Sequence, residues 1–158
     1  MKYLIIVFCS MITMNSCASK KKIVTDTTQL TRVLEVSKSP CFGECPVFTL
    51  SVYDNGLAVL DGQDNLKHIG LYHKILDKKV MASLMKTCDE AQLFSLKDSY
   101  MRRVMDLPTT SLAYSSDGQT KNISGNMDFP DGFKKVIKEV MDMIDEEDWE
   151  LKKQYNTK

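Results

Sequence analysis

Cys41-Phe42-Gly43-Glu44-Cys45-Pro46-Val47-Phe48-Thr49-Leu50-Ser51-Val52-Tyr53-Asp54-Asn55-Gly56 places two cysteines, a strand entrance and a turn in one run. Phe48, Leu50 and Val52 alternate with Thr49, Ser51 and Tyr53. That is the period-two pattern of a strand with one buried and one wetter face. Asp54-Asn55-Gly56 closes the arm, and Asn-Gly predicts a type I′ turn with positive φ at both central residues. Leu57-Ala58-Val59-Leu60 should then return antiparallel beside it. Pro46 fixes φ at the strand entrance, where its missing amide hydrogen is tolerated.

Upstream, Thr31 to Ser37 predicts a first strand, although Val33 and Leu34 are adjacent apolar residues that break strict alternation. Downstream, Asp61 to Asn65 is rich in turn residues, and Lys67 to Lys74 adds an extended segment with His68 and His73. Asp77 reads as a helix N-cap, followed by Val80, Met81, Leu84, Met85 and Cys88 at three- and four-residue spacing. Leu93, Phe94 and Leu96 return the chain to the core before an irregular connection holding Tyr100 and Asp106-Leu107-Pro108. Thr110, Leu112 and Tyr114 lead into Ser116-Asp117-Gly118-Gln119, a second hairpin. Pro130 and Asp131 introduce an amphipathic helix through Phe133, Val136, Ile137, Val140, Met141 and Ile144, expected to run past Trp149. The order predicts an α+β fold: an antiparallel β-sheet built from hairpins with two helices packed on one face. One domain is expected over residues 31–150, with 151–158 as a C-terminal tail.

Lys2 and the apolar run Tyr3 to Met14 have the layout and size of a signal peptide over residues 1–16. Met14-Asn15-Ser16-Cys17 resembles the bacterial lipobox, whose cysteine is diacylated and becomes the first residue of the mature protein. The resemblance implies lipid attachment at Cys17. It implies the cell envelope as location, with Ala18 after the cysteine favouring the outer membrane, on its periplasmic or surface side. Several acyl chains on one residue give stable anchoring, since each buried methylene contributes about 0.8 kcal/mol. Residues 17–30, rich in Ser, Lys and Thr, read as a flexible linker.

The 158 residues are 43% hydrophobic and carry 21 basic and 21 acidic side chains. Phosphate binding needs a clustered basic excess, and the only basic run is Lys20-Lys21-Lys22. A nucleic-acid partner is therefore not expected. The partners expected are the membrane, through the lipid, and a protein or other component of the envelope.

Cys41 and Cys45 have three residues between them in a chain read as exported, where neighbouring thiols oxidise. A disulfide stapling the loop leads, with Gly43 available for positive φ; redox-active thiols and metal ligation are the alternatives. The C-x3-C-P run also resembles that of the Sco copper-delivery proteins, which implies Cu(I) on both thiolates with a histidine such as His68 or His73. There the motif opens a helix, whereas here Val47 to Tyr53 alternates as a strand. Cys88 and the helical methionines read as core. Asp106 with Asp128 or Asp131 is the one candidate carboxylate pair for acid–base chemistry. No phosphate-binding loop, zinc-protease helix or nucleophile elbow is present.

Pro40-Cys41-Phe42-Gly43-Glu44-Cys45-Pro46-Val47-Phe48, Asp54-Asn55-Gly56, Tyr100 and Asp106-Leu107-Pro108 together resemble the bacterial family known as domain of unknown function 6438. The resemblance spans about Leu34 to Ile144 and implies a compatible fold and a frequent lipoprotein context, with no activity attached. The candidate functional loop is Phe42, Gly43, Glu44 and Pro46, with Tyr100, Asp106 and Pro108. The expected role is a non-enzymatic binding module without metal or cofactor, and the alternative is thiol-redox or copper handling by the cysteine pair.

Overall fold

The computed structural model describes residues 30–104 and 106–155. Expectations for residues 1–29, including the signal peptide, Cys17 and most of the linker, lie outside that range. β1 (Arg32–Lys38) runs through the middle of the sheet and pairs antiparallel with β2 (Val47–Tyr53) on one side and β6 (Thr110–Ser116) on the other. β3 (Leu57–Asp64), β4 (Gly70–Ile75) and β8 (Glu150–Gln154) extend one flank. β7 (Gln119–Gly125) and β5 (Ser99–Tyr100) extend the other, giving the order β5-β7-β6-β1-β2-β3-β4-β8. Only β5 and β7 pair in parallel. The fold is α+β, with a mostly antiparallel sheet.

The alternation sets the faces. Leu34, Val36, Phe48, Leu50, Val52, Ala58, Leu60, Leu112, Tyr114 and Ile123 join one buried cluster with Leu84 and Cys88 of α1 (Lys78–Glu90) and with Phe133, Val136, Val140 and Ile144 of α2 (Asp131–Ile144). Each large apolar side chain so buried contributes about 1.5–3 kcal/mol. The opposite face of β1, β6 and β7 is polar, with Glu35, Ser37, Ser111, Asn122 and Ser124 around a shallow recess. The broken alternation at Val33 has a physical origin: Arg32 pairs with Tyr53 and Leu34 with Val52, so Val33 is the extra residue of a β-bulge.

Asp77 caps α1 as expected, its carboxylate accepting from Lys79 N at 2.8 Å and Val80 N at 3.0 Å. Those two donors, foremost that of Val80, hold the Asp77 carboxyl below the usual range.

Three expectations are corrected. The Asn-Gly turn is not type I′, because positive φ occurs at Gly56 (+85°) and not at Asn55. Gly56 N donates to Tyr53 O, and Leu57 N donates to Asn55 Oδ1, giving a three-residue loop with a glycine bulge. The type I′ pattern sits instead at Asp117 (+50°) and Gly118 (+74°). Second, α2 stops at Ile144, well before Trp149, whose indole Nε1 turns back to donate to Met143 O at 3.1 Å. Third, residues 150–154 form the edge strand β8, so the sheet continues into what reads from sequence as a tail.

Candidate functional site

The strand directions put the loop residues 39–46, 65–69, 101–104, 106–109 and 126–130 at one end of the sheet. Arg32 and the turns at residues 54–56 and 117–118 lie at the other. The chain therefore enters the sheet opposite the cysteine loop.

Cys41 and Cys45 form a disulfide with a Cα–Cα distance of 5.8 Å, which closes the loop between β1 and β2. Phe42, inside this ring, is 91% exposed. Gly43 takes no positive φ, and a Cβ there would only touch Cys41 Sγ at 4.0 Å, so ring closure does not draw on the glycine's conformational freedom. Glu44 is exposed, and Pro46 leads into β2 as expected.

Neighbouring loops fix this ring. Ser39 N donates to Thr109 O, and Thr109 N donates to Ser39 Oγ, both at 2.9 Å. The half-buried Pro108 lies beside that pair. Asn65 Nδ2 donates to Cys45 O at 3.1 Å. Asn126 brackets the next loop, accepting from Arg102 N at 2.8 Å and donating to Arg102 O at 3.0 Å. Arg102 pairs with Asp128 at 2.8 Å.

Tyr100 is a supporting residue. It pairs with Gly125 in the β-ladder, its ring lies 5.7 Å from Phe129, and its hydroxyl accepts from Lys97 N at 3.2 Å. Asp106 is an exposed bend residue; Asp128 is engaged by Arg102 and Asp131 by Lys134. No acid–base pair assembles from these three.

His68 and His73, the candidate nitrogen ligands, are buried. Their ring nitrogens face backbone carbonyls: His68 Nε2 lies 2.8 Å from Glu146 O and His73 Nδ1 lies 3.1 Å from Glu150 O. Both histidines hold the segment leading to β8, away from the role of thiolate partner. Cys88 is the free cysteine among the described residues, and burial pushes its thiol up to about 12, so it stays protonated and inert.

What the loop end offers is apolar surface. Among the described residues, Phe42, Met101, Val104, Leu107 and Met127 make up five of the eight large exposed hydrophobics, and all five stand on these loops. The cysteine run pointed to Phe42. Met127 and Val104 carried no signal, because each is a single apolar residue in a polar connection whose exposure depends on the fold. Glu44, Arg103 and Asp106 add charges of both signs without ion-pair partners among the described residues.

A family model described as Domain of unknown function (DUF6438) matches residues 32–145, from the start of β1 to the C-cap of α2. The chain belongs to this family. The matched region contains this chain's own Cys41-Phe42-Gly43-Glu44-Cys45-Pro46 run, the disulfide ring at the loop end, and β8 lies beyond it. No curated protein matches the chain.

Proposed function

We propose that this is a non-enzymatic lipoprotein of the bacterial cell envelope, anchored in the outer membrane through Cys17, that holds another envelope protein with the loop end of its sheet. The observation that carries the reading is the polarity of the domain. Exposed hydrophobics gather on the loops at one end, and the tether-bearing chain enters at the other. Large apolar side chains gathered at one end of a folded domain favour association over bare solvation. The disulfide keeps Phe42 presented in advance, which lowers the ordering cost of binding. Mixed charges on these loops give no net attraction to anionic lipid, which favours a protein with an apolar recess over a membrane surface.

Two measurements test the reading. Cys17→Ala should abolish labelled palmitate uptake and release the protein from membranes; unchanged fractionation would remove the lipid anchor. A photo-crosslinking residue at Phe42 should capture a discrete envelope protein, and one at Thr120, at the opposite end, should not. Capture at both positions, or at neither, overturns the loop end as the binding surface. Thiol counting with Cu(I) titration addresses the copper alternative, which requires reduced cysteines that take up metal.

A further inference from the structure

β8 and the segment before it are held by charge. Asp145-Glu146-Glu147-Asp148-Trp149-Glu150 is acidic around one aromatic, and it lies along Lys67, His68, His73 and Lys74. Lys74 is only 5% exposed; its Nζ pairs with Glu146, lies 3.0 Å from Asp148 and sits 4.8 Å from the centroid of the Trp149 ring. Lys67 pairs with Glu147 and also donates to Asp145 O at 3.3 Å. Glu147 is correspondingly held below its usual range by Lys67. The histidines contact the carbonyls of Glu146 and Glu150.

By contrast, all five residues of β8 are exposed, and Trp149 is the segment's one buried apolar side chain. The receiving edge is shaped for close approach. At Gly70, φ is +133°, and a Cβ there would lie 2.4 Å from Lys153 O. Gln154 Nε2 completes the contact by donating to Ile69 O at 2.9 Å. From Glu146 onward the segment falls outside the region matched by the family.

We infer that the β4 edge is a strand-accepting site for an extended acidic peptide bearing an aromatic residue, and that residues 146–155 of this chain occupy it as an internal ligand. Main-chain pairing to β4 supplies the ladder. The recess formed by Lys74, His68 and Trp149's seat supplies the selectivity, as in other cases of strand addition. The partner is a segment of another protein that displaces the strap. The inference uses none of the exposed loop-end hydrophobics and stands or falls separately from the proposed function.

The test uses the whole protein carrying Glu146→Gln, Asp148→Asn and Trp149→Ala, with a fluorescent synthetic peptide of residues 145–155 as probe. By hydrogen exchange, the β8 amides should lose protection while those of Leu50 and Val52 keep it. The variant should bind the peptide saturably and at least tenfold more tightly than the unsubstituted protein, whose own strap competes. Binding should weaken as salt rises, and adding Gly70→Ala should abolish it. Continued protection of β8, loss of protection in β2, absence of peptide binding, or binding that survives Gly70→Ala would each overturn the inference. So would dimerisation of the unsubstituted protein through exchanged straps, which would make a second copy the occupant.

Discussion

Phe48 on β2 and Lys74 on β4 are both almost wholly buried, 1% and 5% exposed, and they are held by different physics. Around Phe48 the sheet is closed by apolar alternation against two helices, a non-directional force proportional to the area withdrawn from water. Around Lys74 the enclosure depends on two carboxylates and an indole face at fixed positions. A buried charge so compensated adds little net stability, but it selects which segment lies beside it. The centre of the sheet therefore sets whether the domain folds, and the β8 edge sets what it holds.

The contrast is sharpest at Phe48. Phe48→Ala should cost about 3–5 kcal/mol by the usual toll of a large-to-small core change, seen as a lower midpoint in chemical denaturation. A loss near zero would break the distinction, placing the core's weight elsewhere. Lys74→Met should leave global stability within about 1 kcal/mol, since it removes the one buried charge and leaves Glu146 and Asp148, whose side chains are 51% and 69% exposed, to be solvated by water. The same substitution should accelerate exchange of the β8 amides and remove its salt dependence. Global destabilisation comparable to Phe48→Ala would make the edge as essential as the core.

Asp77 offers a third kind of contact, a carboxylate on backbone donors. Its folded value is lowered, so its stabilisation is complete above the ordinary Asp value of about 4 and fades as pH falls through the lower folded value. The gap in Tm between the unsubstituted protein and Asp77→Ala should accordingly shrink on acidification. The smallest effect is expected at Glu147, on the exposed side of the strap: Glu147→Gln should leave Tm unchanged in thermal melts at physiological salt.

The same division explains what could be read from sequence. β1, β2, β3 and both helix starts announce themselves through local signals: alternation, the Asp77 cap and the apolar stripe of α2. The hairpin pairings and the buried side of β2 follow from them, whereas the sheet order, with β1 between β2 and β6 and β8 at the edge, does not. Neither does the end of α2. Asp145-Glu146-Glu147-Asp148 contains no helix breaker, and what pulls it out of the helix is attraction to Lys67 and Lys74, more than seventy positions earlier. The burial of His68 and His73 is hidden in the sequence for the same reason, since the segment covering them is not their neighbour in the chain. At the two hairpins the dipeptides Asn-Gly and Asp-Gly are near synonyms, yet only Asp117-Gly118 takes positive φ at both residues. At the candidate site, the disulfide and Phe42 were visible in one run of residues. The company they keep, Met101, Val104, Leu107 and Met127, was not, because it is assembled by strand direction.

The Cys41–Cys45 ring is contained within one connection and ties no two strands together. Its closure changes how the loop is presented and leaves the topology untouched. Folding of the sheet thus has no need to wait for an oxidant, and the domain can assemble first and have its loop locked afterwards. Oxidation becomes a finishing step on a protein whose architecture already stands.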